Sequence, residues 1–401
     1  MLGTKLKLVQ HEPGGHVEWS SGEADVAWSL GSQRAVFPLE NVFSLFGTPV
    51  PSMVPNRYVN MANSLFGSGL SIPWQLILPE NLYRNRLDRL LTGAWNAIEA
   101  LNDSGYHDTF IDIMKFLSEL SKSKISMGRL QYHRNNEKNA TILSTLASFT
   151  PDTDGYLNAP IYDPVKTSTG RLLISSGPKI LTLPTRCRDI IIPSSDDTEI
   201  VQVDFVSLEP RVALLLGINS ATSPEDIYDD LAKNVFGGSL TRAQAKIATL
   251  CALYGISNKK LSLIVSGVDA THVIKRVRDY FNVSSNVKRL RATLDSNGFL
   301  QNFFGRPLLF DDDKKDHILY SHFIQSTAAD LAILGFKQLL DVMFKSGIGY
   351  RCLFLIHDAM VLEVDRQYVT EIKEMSKKGI SIDKIGNFPL EVKKMTTIEN
   401  M

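Results

Sequence analysis

The sequence predicts an α+β protein, with mostly helical lobes around a small antiparallel sheet. Three observations carry this expectation. Between 81 and 148 apolar residues recur at helical spacing, first Leu82, Leu87, Leu90, Leu91, Trp95 and Ile98, then Phe110, Ile113, Met114, Phe116, Leu117 and Leu120. Helical signals dominate again across 224–295. Strand signals are few but sharp: Ile200-Val201-Gln202-Val203-Asp204 reads as one strand, and the apolar arms Cys352–Ile356 and Met360–Val364 meet at His357-Asp358 as a hairpin would.

The remaining segments follow from composition. Residues 1–80 are rich in Gly, Pro and Ser, hold Trp19, Trp28 and Trp74, and read as a loop-rich small domain or extension of unknown role. The polar, cationic stretch 121–139 (Lys122, Lys124, Arg129, His133, Arg134, Lys138) suits a helix–helix tip. Residues 150–190, with Pro151, Pro160, Pro164, Pro178 and Pro184, read as loop, and a helix-compatible run follows Asp204 as far as Leu216.

A length of 401 residues allows two or more domains or one multi-lobed unit. Lys+Arg and Asp+Glu both number 43, so no global basic field advertises nucleic acid; an acidic metal site can offset a basic groove. Cys187, Cys251 and Cys352 share no metal-ligand spacing and read as reduced thiols. The first residues, Met1 to Lys7, lack an apolar core, and no stretch is long and apolar enough to span a bilayer. The expected setting is cytoplasmic, nucleoid-associated or virus-encoded, with an organelle left open and no membrane partner.

Two carboxylates and one helix carry the chemistry. Asp204 closes an apolar strand and Asp358 sits at an apolar bend, where burial of a charge is costly without a metal or partner. Phosphoryl transfer requires Mg²⁺ held by few protein carboxylates, so that substrate phosphates complete the coordination. The same residue types also serve as a helix N-cap and a turn residue, and both alternatives stand at this point. Arg242, Lys246, Leu250 and Tyr254 step by four along one helical face. Cations at one end and a ring at the other suit a triphosphate and a base. An amphipathic helix with solvated cations would show the same spacing.

Six segments, in order, resemble the polymerase region of the A-family, DNA polymerase I-like enzymes. Asp204-Phe205-Val206-Ser207-Leu208-Glu209-Pro210-Arg211 looks like the family's first motif, Arg242 to Gly255 like its second and His357-Asp358-Ala359 like its third. Thr169-Gly170-Arg171, Phe304-Gly305-Arg306 and Gln325-Ser326-Thr327-Ala328-Ala329-Asp330-Leu331 match three further segments. The resemblance implies a right-hand architecture: a thumb at 81–150, a palm at 151–220 and 296–401, and fingers at 221–295. It implies template-directed DNA synthesis from dNTPs on primer–template DNA, in replication or repair, with two Mg²⁺ ions or Mn²⁺ in their place. Asp204, Phe205 and Asp358 would hold the metals. Arg242, Lys246, Leu250, Tyr254 and Glu209 would contact the nucleotide, with Lys246 also catalytic and Glu209 crowding the sugar 2′ position. Arg171, Gln325, His357 and Arg306 would contact primer–template.

Departures qualify that reading. Leu250 replaces an aromatic residue, Cys251 a glycine and Ala359 a second acid; Pro210 follows Glu209 at a first helical turn, where proline is tolerated. Before Asp88 the only aspartate is Asp25, and Asp197-Thr198-Glu199, which mimics an exonuclease signature, reads as a turn. No proofreading by this chain is therefore expected, and a protein partner could supply excision or processivity. The basic stretch Lys275, Arg276, Arg278, Lys288, Arg289 and Arg291 suits backbone phosphates or a solvated face. Two alternatives accompany the main reading: a catalytically inactive, DNA-binding subunit of a replication complex, and an RNA polymerase or primase on the same scaffold.

Overall fold

Isoleucine and valine dominate the run that ends at Asp204, and Thr198–Phe205 (β1) is an inner strand with Ile200, Val201, Val203 and Phe205 buried. The computed structural model describes residues 6–10, 17–21, 28–30, 33–35, 39–52, 54–67, 72, 74–218, 223–255, 261–265, 269–310 and 316–395. Contacts divide it into two units, 1–114 with 305–309, and 115–304 with 310–401. The expected boundaries at 80 and 150 do not coincide with this division.

Among its described residues, the first unit holds strands and helices where its composition predicts loop. Residues 6–35 contribute a four-stranded sheet in which Leu6–Gln10 pairs with both Val17–Ser21 and Trp28–Leu30. The helix Glu80–Asp103 realises the predicted periodicity, burying Leu87, Leu90, Ala94, Ala97, Ile98 and Leu101. Leu39–Leu45 packs on it and buries Val42 and Phe43 completely. Next comes the helix His107–Ser118.

In the second unit, the helices Leu208–Ile218 (α1), Arg242–Tyr254 (α2), Ala270–Tyr280 (α3), Val283–Asn297 (α4) and Asp316–Lys345 (α5) pack on one another, and the same unit holds a four-stranded sheet. Its further strands are Tyr350–Ile356 (β2), Ala359–Asp365 (β3) and Leu390–Lys394 (β4), in the order β2-β3-β1-β4, all antiparallel. The predicted hairpin is present, with Ile356 paired to Ala359 across a two-residue turn. His357 opens that turn at φ 56°, the sign a tight hairpin needs at its first position.

Two segments differ from expectation. Residues 121–139 form no tip: Ser123–Ile125 is a strand and Met127–Asn136 a helix docked by its cations. Arg129 donates to the Asp189 carbonyl at 2.8 Å, His133 meets the Asp189 carboxylate at 2.7 Å, and Arg134 donates to the carbonyls of Leu146 and Phe149. Long cationic side chains anchor backbone here because their stems can cross apolar surface to reach buried carbonyls. Within 150–190, short strands and 3₁₀ turns punctuate the loop, among them the hairpin Ile161–Asp163 with Leu173–Ser176, which encloses Arg171.

α5 is the buried spine beneath the sheet. Gly335 lets it approach β1: a Cβ there would lie 2.7 Å from the ring of Phe205, which also packs on Phe336 with centroids 5.0 Å apart. Helix propensity favours alanine by about 1 kcal/mol, yet forcing a methyl into a filled contact costs about 1–3 kcal/mol. Gly335→Ala is expected to lower the urea midpoint of unfolding. An unchanged or raised midpoint would show that the Phe205 ring yields freely.

Candidate active site

β1 and the β2–β3 hairpin bring Asp204 and Asp358 together. Asp204 pairs with Ala359 across the ladder, and the Phe205 amide donates to the Asp358 carbonyl at 3.2 Å, so backbone hydrogen bonding fixes one acidic residue to the neighbour of the other. Both acids line a cavity of about 1290 Å³ in the second unit. Phe205 lines it too, although its side chain is 4% exposed against α5, which leaves its main chain to face the cavity. Ala359 is 2% exposed, an interior strand position that suits a small apolar residue.

α2 also lines the cavity. Thr241 caps this helix through the Gln244 amide while Gln244 caps back, and Gly255 ends it at φ 71°. Ala245, Ala248, Thr249, Cys251, Ala252 and Leu253 are buried, which turns Arg242, Lys246 and Leu250 to the cavity. Tyr254, one turn further, reaches α1 instead: its hydroxyl donates to the Glu209 carboxylate, which also receives the Arg171 guanidinium. Gln325, on α5, and His357 complete the expected lining residues.

Arg306 lies elsewhere. It is 2% exposed in the first unit, with its guanidinium 5.0 Å from the centroid of the Tyr106 ring, and does not line the cavity. The segment from Gln325 to Leu331 also divides by role. Gln325 faces the cavity, whereas Ser326, Thr327 and Asp330 are fully buried and bind the Asn302-Phe303 turn; the Asn302 amide donates to Asp330 at 2.7 Å and to the Ser326 carbonyl at 3.1 Å.

Sequence reasoning gave no role to three residues that build this site. Arg211 is 2% exposed and donates to the carbonyls of Pro224, at 2.9 Å, and Glu225, at 3.0 Å. Asp226 caps the following helix and accepts from Arg242 Nε at 2.6 Å. The Tyr228 ring lies 5.5 Å from the Arg242 guanidinium and 5.9 Å from Lys246 Nζ. An Asp two residues before a Tyr, just ahead of a helical run, was a legible capping signal.

Electrostatically, the acid side is under tension. Burial pushes the Asp204 carboxyl above its ordinary range, a hydrogen bond from Gln202 Nε2 at 2.9 Å opposes this, and the Asp358 charge adds to it. Burial likewise raises Glu209, against the pull of Arg171. Among the described residues no group of three or more His, Cys, Asp or Glu side chains could hold a metal by itself. A pair of repelling carboxylates on a cavity wall fits a hard divalent ion whose other ligands are water or substrate oxygens.

The sign of the Asp204 shift gives a prediction for the metal-free protein. A carboxyl raised on folding binds more protons folded than unfolded, so its contribution is fully present below the unfolded pKa and is lost as pH rises through the folded value. In EDTA, Asp204→Asn should therefore raise the melting temperature by about 1–2 °C at neutral pH, on the order of 1 kcal/mol, and leave it unchanged in acid. Equal melting of both proteins at neutral pH would contradict the assignment.

Comparison with known proteins bears on the fold and the family. The POL domain of Pol1 from M. smegmatis, solved in complex with DNA primer-template and dNTP, superposes over 88% of this chain and 80% of its own, with TM-score 0.65 and 14% identity. The fold is thus that of a polymerase domain. A family description, DNA polymerase family A, matches residues 87–399, and the chain belongs to that family. Among relatives, thermostable DNA polymerase I of Thermus aquaticus is 25% identical over 343 residues, 77% of this chain and 40% of that protein. DNA polymerase I of Streptococcus pneumoniae serotype 4 is 25% identical over 244 residues, 53% of this chain and 28% of that protein. The chain spans two fifths or less of the length of these relatives. No described helix is long and apolar enough to cross a membrane.

Proposed function

We propose that this chain extends a DNA primer on a template with dNTPs by two-metal phosphoryl transfer. The observation that carries the reading is one cavity lined by Asp204 and Asp358 together with Arg242 and Lys246. Asp204, Asp358 and the main chain of Phe205 would hold two Mg²⁺ ions, or Mn²⁺, and such ions would supply activation of the primer hydroxyl and charge compensation for the departing pyrophosphate. The chain's own part is positioning and charge neutralisation. Arg242 and Lys246 bind triphosphate oxygens, Leu250 gives the nucleotide an aliphatic contact, and Tyr254 packs beside the templating base. Glu209 fills the space a 2′-hydroxyl would need. Arg171, Gln325 and His357 meet the primer–template near the growing end. In this reading the sheet region is the palm and α2 to α4 the fingers.

Excision is not part of the reading. Asp197-Thr198-Glu199 is committed to the sheet: Asp197 lies in the turn and accepts from the Arg366 amide, Thr198 Oγ1 donates to Glu363 at 2.7 Å, and Glu199 pairs with Lys394 at 2.6 Å. The basic stretch is partly committed as well. Arg276 donates to the Val235 carbonyl and Arg291 pairs with Asp316, while Lys275 and Lys288 stay exposed for phosphate contacts.

The test is extension of a labelled primer on a DNA template with Mg²⁺, dNTPs against rNTPs. Template-matched extension with dNTPs alone is expected. Extension with rNTPs would indicate the primase-like alternative, and tight DNA binding with no extension would indicate the inactive-subunit alternative.

A further inference from the structure

Arg242 does not meet the cavity as a free side chain. We propose that Asp226 is a positioning residue for nucleotide binding: its carboxylate orients the Arg242 guanidinium so that the remaining N–H groups meet the incoming triphosphate. This inference rests on the polymerase reading above.

Asp226 is itself held from behind. The buried Arg211 guanidinium fastens the three preceding residues, donating to the Ser223 hydroxyl and to the carbonyls of Pro224 and Glu225. The two carboxylate oxygens of Asp226 then divide their work. Oδ1 accepts from the Tyr228 and Asp229 amides at 2.9 and 3.0 Å, starting the helix, while Oδ2 accepts from Arg242 Nε at 2.6 Å. Burial alone would raise this carboxyl, but the Asp229 amide and the Arg242 guanidinium outweigh it and keep it charged.

Magnitude decides what the ion pair is for. With side chains 53% and 34% exposed, the Arg242–Asp226 bridge adds little to folding stability. Its geometric effect is larger. Spending Nε–H on Asp226 leaves Arg242 its two terminal amino groups, the fork that binds phosphate oxygens two at a time. Tyr228 restricts the same guanidinium by its face and carries Lys246 on the same ring, so both cations are confined before any nucleotide arrives. A side chain oriented in advance loses less entropy on binding.

The contact has an opposite reading, in which Asp226 competes with phosphate for Arg242 and masks it. The two differ in sign, which makes the experiment decisive. Asparagine caps helices as well as aspartate, so Asp226→Asn keeps the helix start and removes the charged acceptor, whereas Asp226→Ala removes both. The readout is the dNTP concentration that stabilises a ternary complex of full-length protein, Mg²⁺ and a labelled, dideoxy-terminated primer–template against competitor DNA. Single-turnover extension of an ordinary primer supplies the maximal rate separately.

Asp226→Asn is expected to raise the half-saturating dNTP concentration about tenfold, with the maximal rate, primer–template affinity and melting temperature within twofold or 1 °C of wild type. Unchanged or tighter dNTP binding in Asp226→Asn would overturn the proposal, the latter in favour of masking. Weakening confined to Asp226→Ala would assign the residue to capping and overturn it equally. If the wild-type protein forms no dNTP-dependent complex, the polymerase reading fails and this inference falls with it.

Discussion

Asp358→Asn is expected to reduce the maximal rate of primer extension at least about a thousandfold while primer–template affinity stays within a factor of two. The substitution isolates one chemical property. Asparagine suits a turn as readily as aspartate, and the positive φ at the hairpin belongs to His357 rather than to Asp358, so the β2–β3 connection has no reason to change. What disappears is one of two anionic metal ligands at a centre where, in the proposed mechanism, metal ions supply several kcal/mol of transition-state stabilisation; about 4 kcal/mol corresponds to three decades in rate. In the proposed mechanism DNA contacts run through other side chains, so binding should persist in a gel-shift titration. Residual extension above about a tenth of wild type would remove Asp358 from the metal site and return it to the role of a turn residue.

The sequence disclosed the parts of this site that depend on short-range pattern. A run of β-branched residues ending in Asp204, two apolar arms around His357-Asp358, and a four-residue step from Arg242 to Tyr254 are local periodicities, and each became the predicted element. The family resemblance then ordered them. What stayed hidden are partners that meet only after the chain returns on itself. Arg211 resembles any helix cation until residues 223–225 come back to its guanidinium, and Arg306 resembles a groove cation until it is seen buried beside Tyr106. Cations in 121–139 signalled a solvated tip because charge usually does; the structure uses them to hold carbonyls that are distant in sequence. Lys377 and Glu391, both on the cavity wall, come from a C-terminal region with no motif to mark them. The pairing of 6–35 into a sheet was also invisible, since strands that short carry little alternation.

Glu209 carries the second large effect. Its carboxylate accepts from both Arg171 and the Tyr254 hydroxyl, so three expected contact residues are linked through one side chain. Only 22% of the Glu209 side chain is exposed, and it lines the cavity, so any nucleotide sugar that approaches meets a group with little freedom to withdraw. Glu209→Ala opens that space. The preference for dNTPs over rNTPs, measured as the ratio of kcat/KM values, should fall about a hundredfold. Efficiency with dNTPs should also drop about tenfold, because Arg171 and Tyr254 lose their common acceptor. Glu209→Gln separates bulk from charge. It keeps the volume and an oxygen for Tyr254, and a steric gate should then discriminate almost as well as wild type despite a weaker hold on Arg171. If the glutamine variant lost discrimination as completely as the alanine one, the carboxylate charge rather than its size would be excluding the ribonucleotide. If both variants discriminated normally, Glu209 would serve only to tie Arg171 to α2, and the sugar gate would lie with another residue on the cavity wall.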